Sequence, residues 1–364
     1  MEDFKAIIAG GGTGGHLFPG IAVARELEKR FGRARIIFIV GHRKMEMGII
    51  DRYGYEKRSI EVEGIKGRNI FRGAGVLLRL PKTVFQAARI IRQVSPQVIL
   101  GVGGYTAGPV CVAGRMLRVP TAIHEQNSFP GLTNRMLAKV VNKVFITYDE
   151  SRSHFGSTAT VTTGNPVREE FLLPCEPRKA GETSPFTLLV LGGSQGARAV
   201  NSAVVEALLH MRAQGAVPNV IHQTGQLDYE RVEKMYREEG LLGTVMPFIE
   251  DMRNAYAGAD LVVSRAGATT LAEICALGKA CVLIPYPHAA NQHQETNAQV
   301  LEKAGGAIIK REQDMKGRDL ADALSDLMKH PETVEKMAQA SQALGKRDAA
   351  RQIVDQLTGM IPWH

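Results

Sequence analysis

Twice along this chain a short β-branched run ends in a glycine-rich turn and gives way to an amphipathic segment. Residues 4–9 lead into Gly10-Gly11-Gly12-Thr13-Gly14-Gly15-His16, and residues 186–191 lead into Gly192-Gly193-Ser194-Gln195-Gly196-Ala197-Arg198. A strand, a tight turn and a helix repeated in series predict parallel βαβ units, with helices on both faces of an open sheet. The rhythm continues after each turn. Further strands are expected at 36–40, 98–102, 121–124 and 144–147, with helices at 21–31 and 83–94 between them. In the second half, strands are expected at 220–223, 245–248, 261–263 and 281–284, and helices at 197–211 and 270–277.

Between the halves, around Gly164-Asn165-Pro166 and through residues 174–185, Pro, Gly, Ser and charged residues replace the pattern, as an interdomain connection does. A chain of 364 residues also exceeds what one core usually serves. The expected fold class is therefore α/β, with two Rossmann-like doubly wound domains facing across a cleft that would hold the active site. The boundaries read as 1–164 for the first domain and 165–345 for the second. Residues 346–364 form a C-terminal helix expected to cross back to the first domain.

Composition narrows the class. Forty-five Lys and Arg against 37 Asp and Glu give a formal charge of +8, which favours anionic partners such as phosphates, nucleic acid or acidic lipid headgroups. Cys111, Cys175, Cys275 and Cys281 form no CxxC pair and have no His at ligand spacing, so neither a zinc site nor a disulfide framework is expected. A reduced, cytosolic compartment fits that usage. Met1-Glu2-Asp3-Phe4-Lys5 lacks the features of an export signal, and the uncharged stretch 98–114 is too short and too broken by glycine to span a bilayer.

The first glycine turn satisfies GxGxxG, whose glycines let the backbone turn tightly and bring helix-start amides to a phosphate. A dinucleotide site also wants an acidic residue at the end of the second strand for the ribose, and here that strand ends in Val40-Gly41-His42-Arg43. This counts against NAD; Arg43 leaves room for NADP, and a purely structural turn is the alternative. The second turn at 192–198 is what a single dinucleotide does not need. Two phosphate-type loops suit a donor diphosphate and a diphosphate-bearing acceptor.

Polar groups follow apolar strands at other sites. His124-Glu125-Gln126-Asn127 follows the strand at 121–124. Ser264-Arg265-Ala266-Gly267-Ala268-Thr269-Thr270-Leu271-Ala272-Glu273 reads as strand end, turn and helix start, where Glu273 could accept both ribose hydroxyls or simply meet the helix dipole. Asn291-Gln292-His293-Gln294, with Asn297 beyond it, offers amide groups of the kind that read sugar hydroxyls, or a solvated loop.

Taken together and in order, these motifs, with Gly164-Asn165-Pro166-Val167-Arg168 and Phe248-Ile249-Glu250-Asp251-Met252, make the chain resemble the MurG family of transferases, which move N-acetylglucosamine from UDP-N-acetylglucosamine to lipid I in peptidoglycan synthesis. The resemblance covers essentially the whole chain and implies a GT-B fold, no catalytic metal and no cofactor. Carried over by motif position, it assigns the uracil to the Ile249 backbone, the ribose to Glu273, and the diphosphate to Ser194 and Arg168. Ala268, Thr269, Thr270, Leu271 and Gln294 would contact donor phosphate and sugar. Thr13, Gly14, Gly15 and Asn127 would complete that site from the first domain.

The family reaction is an inverting displacement by the 4-hydroxyl of the N-acetylmuramyl unit of lipid I, the undecaprenyl-pyrophosphoryl-linked pentapeptide, and it forms lipid II. It needs a base for that hydroxyl. His16 suits, since an imidazole titrates near neutral pH, and Glu125 is the alternative; His16 could equally donate to an acceptor phosphate. An acceptor held in the bilayer implies a peripheral enzyme at the cytoplasmic face of the inner membrane, partnered with other cell-wall synthesis proteins of division and growth. Lys66, Arg68, Arg72, Arg79, Lys82, Arg89 and Arg92 surround Ile70, Phe71, Val76, Leu77, Leu78, Leu80 and Phe85, a pattern that suits anionic lipid. An NADP reductase would leave residues 264–273 without a task, and no RNP-like strand supports a nucleic-acid module.

Overall fold

The computed structural model describes residues 4–12, 14–62, 70–173, 185–193, 196–314 and 317–362, with backbone only for 70–79. The chain divides into two compact units, Met1–Glu169 with Lys346–His364, and Glu170–Gly345.

In the first unit, seven strands form one parallel sheet: β1 (Phe4–Gly10), β2 (Ala34–Val40), β3 (Glu56–Ser59), β4 (Val98–Gly103), β5 (Thr121–Glu125), β6 (Lys143–Ile146) and β7 (Thr160–Thr162), in the order β3-β2-β1-β4-β5-β6-β7. Successive side chains of a strand point to opposite faces, so the unbroken apolar runs of β1 and β2 feed two cores. Ala6, Ile8, Ile36, Phe38 and Val40 pack with Leu17, Ile21 and Leu27 of the helix Gly14–Phe31. Ile7, Ala9, Ile37 and Ile39 pack on the other face with Ala87 and Ile91 of the helix Ile70–Val94 and with Val110 and Ala113 of the helix Gly104–Met116.

The second unit repeats the plan with β8 (Thr187–Leu191), β9 (Asn219–Gln223), β10 (Thr244–Met246), β11 (Leu261–Ser264), β12 (Ala280–Leu283) and β13 (Ala307–Ile309), all parallel, in the order β10-β9-β8-β11-β12-β13. Its helices Gly317–Lys329 and Pro331–Leu344 contribute Leu320, Leu324, Leu327, Val334 and Met337 to the core. The last helix, Ala349–Thr358, belongs to the first unit, where Ile353, Val354 and Leu357 are wholly buried beside Leu17 and Ile21.

Each sheet reverses its winding direction beside its first strand, between β1 and β4 and between β8 and β11. At such a point the loops leaving neighbouring strands diverge and open a crevice at the carboxyl ends, which is where ligands bind in this architecture. The glycines that open the two turns, Gly10 to Gly12 and Gly192 and Gly193, lie there. The strands not expected from the sequence, β3, β7 and β13, are all sheet edges. They bury less of their side chains, so Glu56-Lys57-Arg58-Ser59 needs no apolar run. The first unit also keeps the residues up to Glu169, beyond the expected boundary at 164, because Arg168 stacks on Phe18 and Glu169 pairs with Lys29. Among the described residues no helix is long and apolar enough to cross a membrane.

Candidate active site

The site in the first unit is built on two glycine turns that need each other. β1 and β4 pair so that Gly10 lies opposite Gly103. Gly103 and Gly104 take φ of +104° and +77°, and a Cβ at Gly104 would fall 2.1 Å from the Gly11 carbonyl oxygen. Only glycine fits both the backbone geometry and the close approach. His16, in the first turn of the helix Gly14–Phe31, lays its imidazole on Gly103, where a Cβ would lie 2.6 Å from Nδ1.

β5 supplies the rest. His124, Glu125 and Gln126 are buried at its carboxyl end. His124 Nε2 lies 3.0 Å from the Gly164 carbonyl oxygen and its Nδ1 lies 3.2 Å from Gln126 Nε2. Burial, with the nearby His16 adding a smaller push against the Gly164 bond, drives His124 down to about 4, so it is neutral at physiological pH. Gln126 Nε2 also donates to the Val102 carbonyl at 2.7 Å, and its Oε1 faces His16 Nδ1 at 3.3 Å. Glu125 makes a different set of bonds. One carboxylate oxygen accepts from Asn127 N at 3.0 Å and Asn127 Nδ2 at 3.1 Å, and the other from Gly131 N at 3.1 Å and Asn134 Nδ2 at 2.8 Å. That carboxylate ties the loop after β5 into shape.

Glu46, which sequence reasoning passed over, organises the first turn. Buried at the start of the helix Lys44–Arg52, it accepts from Gly12 N at 2.6 Å and Gly41 N at 3.1 Å. The acid sought at the end of β2 for a ribose is thus present a few residues later, but it faces the turn. It occupies the Gly12 amide, so that amide is not open to a dinucleotide pyrophosphate, which counts against the NAD and NADP readings.

In the second unit the helix Ala268–Leu277 starts at the end of β11, with Ala268 and Leu271 buried and Thr269 and Thr270 half-buried. Glu273, one turn in, is buried and accepts from Tyr256 Oη at 3.4 Å. Ile249 N donates to Gln223 Oε1 at 3.0 Å. Arg265 ties two loops together: its guanidinium donates to the carbonyls of Ile284 and Pro285 at 3.1 and 3.2 Å, pairs with Glu312 at 2.6 Å and stacks over Tyr286. Tyr286 N in turn donates to Gln294 Oε1 at 3.0 Å. Just before the helix His293–Lys303, Asn291 and Gln292 both hold φ of 53°, a left-handed conformation that non-glycine residues keep only where their surroundings compel it.

Residues 6–146 match the glycosyltransferase family 28 N-terminal domain and residues 187–353 its C-terminal domain. A protein of Syntrophus aciditrophicus (strain SB), named UDP-N-acetylglucosamine–N-acetylmuramyl-(pentapeptide) pyrophosphoryl-undecaprenol N-acetylglucosamine transferase, is 43% identical over 98% of this chain and 99% of its own length. A Geobacter sulfurreducens protein of the same name is 43% identical over 97% and 98%. The chain belongs to the MurG family of glycosyltransferases. The crystal structure of Acinetobacter baumannii MurG superimposes with a TM-score of 0.80 at 30% identity, over 98% of this chain and 99% of that one, and the fold is GT-B.

Against this MurG-family frame the sequence-derived residues sort by unit. His16, Gly14, Gly15, Glu125 and Asn127 surround the β1, β4 and β5 ends of the first unit, and Arg168 belongs to the same unit, its guanidinium 4.7 Å above Phe18. Ile249, Glu273, Gln294 and the residues 268–271 belong to the second. Thr13 and Ser194 lie outside the described residues, as do Lys66 and Arg68. Gln223 and Glu46 carried no motif signal of their own, because each accepts from a backbone amide that only the fold brings near, and Arg265, inside the motif 264–273, shows its loop-tying partners only in the fold. Among the described residues no three His, Cys, Asp or Glu side chains converge as a metal site would require.

Proposed function

We propose that this chain transfers N-acetylglucosamine from UDP-N-acetylglucosamine to the 4-hydroxyl of the N-acetylmuramyl unit of lipid I, with inversion, and so makes lipid II. The end-to-end likeness to transferases of that name carries the reaction, and the setting of His16 supports its chemistry. The acceptor oxygen attacks the anomeric carbon, the bond from that carbon to the diphosphate breaks, and UDP leaves with the electron pair. His16 takes the hydroxyl proton. Glu125 is the weaker candidate base because both its oxygens are occupied by loop donors.

In the second unit, Glu273 takes the ribose hydroxyls, the carbonyl of Ile249 accepts from the uracil, since its N–H is given to Gln223, and the amides of residues 268–271 meet the diphosphate at a helix start. Gln294 reads the sugar. In the first unit Arg168 offers its charge to a diphosphate.

The enzyme acts as a peripheral protein at the cytoplasmic face of the inner membrane. Phe85, Met116, Leu132 and Met136, on three helices that pack in succession, are each 65–71% exposed, and exposed Lys82, Arg89, Arg92, Arg135 and Lys139 accompany them. Apolar tips among cations suit shallow insertion into anionic lipid.

A transfer assay with a lipid I analogue tests the reading. His16→Ala should lower kcat by about 10²–10⁴ with little change in UDP-N-acetylglucosamine affinity, and Glu273→Ala should weaken uridine nucleotides. Phe85→Glu should reduce sedimentation with phosphatidylglycerol vesicles. Undiminished turnover of His16→Ala would remove the base assignment, and undiminished uridine binding by Glu273→Ala would remove the donor site.

A further inference from the structure

The hydrogen bonds around His16 have a polarity that can be read from the backbone. Val102 O can only accept, so the Gln126 atom 2.7 Å away is the amide nitrogen and not its oxygen. The second hydrogen of that amide points to His124 Nδ1 at 3.2 Å, which must then be bare. His124 agrees from its other side. Its Nε2 lies 3.0 Å from the Gly164 carbonyl, another pure acceptor, so Nε2 carries the proton and Nδ1 does not. A ring that burial keeps neutral can satisfy both demands at once.

With both amide hydrogens of Gln126 assigned, its Oε1 is left facing His16 Nδ1 at 3.3 Å. An amide oxygen cannot donate, so Nδ1 of His16 must. The contact of the ring with Gly103 keeps Nδ1 on that side. We propose that Gln126 is a positioning residue: its carboxamide, oriented by the Val102 carbonyl and the His124 ring, holds His16 as the Nδ1–H tautomer and makes Nε2 the basic nitrogen.

The consequence for catalysis rests on His16 acting as the base. Neutral imidazole otherwise distributes its proton between the two nitrogens, and a base in the wrong tautomer presents a hydrogen where it should present a lone pair. Gln126 never touches substrate in this scheme; it acts through His16.

The test uses the full chain labelled with ¹⁵N-histidine, read by long-range proton–nitrogen correlation at a pH where His16 is neutral, with His16→Gln identifying its signals. The wild type should show a protonated Nδ1 and a bare Nε2 at His16. Gln126→Met should lose that preference and lower kcat roughly ten- to hundredfold, with KM for UDP-N-acetylglucosamine within about twofold. A bare Nδ1 in the wild type, or an unchanged tautomer in Gln126→Met, overturns the proposal. The wild-type spectrum decides even if Gln126→Met does not fold. Should the tautomers behave as stated while His16→Gln still turns over, the base assignment fails and the positioning of the ring by Gln126 stands.

Discussion

Replacing Glu125 by glutamine separates a carboxylate that builds a loop from one that does chemistry. Both oxygens of Glu125 accept two hydrogen bonds each, from Asn127 N and Nδ2 and from Gly131 N and Asn134 Nδ2. A glutamine keeps one acceptor oxygen and points an NH₂ group at the other two donors. Two bonds to a charged acceptor, each contributing about 1.5–3 kcal/mol, are lost, and their donors face another donor at a site 2% exposed. The first unit should therefore lose about 3–6 kcal/mol, a large part of the roughly 5–15 kcal/mol that holds a domain together. Hydrogen exchange followed by mass spectrometry reads this unit by unit. Peptides covering β5 and β6 should lose protection in Glu125→Gln, whereas peptides covering β11 and β12 should not change. In His16→Ala, turnover should fall with protection unaltered. If Glu125→Gln abolished turnover while β5 protection stayed within about 1 kcal/mol of wild type, the carboxylate would be acting on the reaction and the loop-building account would be wrong.

Glu46→Gln should cost about 2–3 kcal/mol in chemical denaturation of the first unit, because an amide cannot accept from both Gly12 N and Gly41 N; a loss under about 0.5 kcal/mol would mean that water replaces it readily. Gly103→Ala places a methyl 2.6 Å from His16 Nδ1 at a φ of +104°, so kcat should fall about a hundredfold while uridine nucleotide binding to the second unit persists. His124 and His222, lowered by burial from 6.5 to about 4 and about 3, bind fewer protons folded than unfolded in that interval. Urea midpoints should hold steady above about pH 6.5 and decline as the pH falls toward 4 and then 3, and a flat profile through that window would show that neither ring is as dry as its packing indicates.

The sequence by itself determined the architecture of both units. Short unbroken apolar runs rich in β-branched residues, such as Ile36-Ile37-Phe38-Ile39-Val40, read as strands covered on two faces, and glycine-rich turns after the first strand of each half place the ligand end of each sheet. The ordered motifs carried the family as well, because they span the chain. The edge strands β3, β7 and β13 were not legible, since a half-exposed edge needs no apolar signature. The crossing of the helix Ala349–Thr358 was legible only as an amphipathic face, and the tertiary structure decided that Ile353 and Leu357 pack against Leu17 and Ile21. The division of labour around His16 also needed three dimensions. His124, Glu125 and Gln126 read alike as polar residues after a strand, yet alternating strand geometry and the positions of the Val102 and Gly164 carbonyls give them different partners. Which nitrogen of His124 carries a proton depends on carbonyls 24 and 40 residues from their partners in the chain, which folding brings to 2.7 and 3.0 Å, and the Glu125 carboxylate is occupied by donors 2 to 9 residues on, which only the fold of the loop after β5 turns toward it.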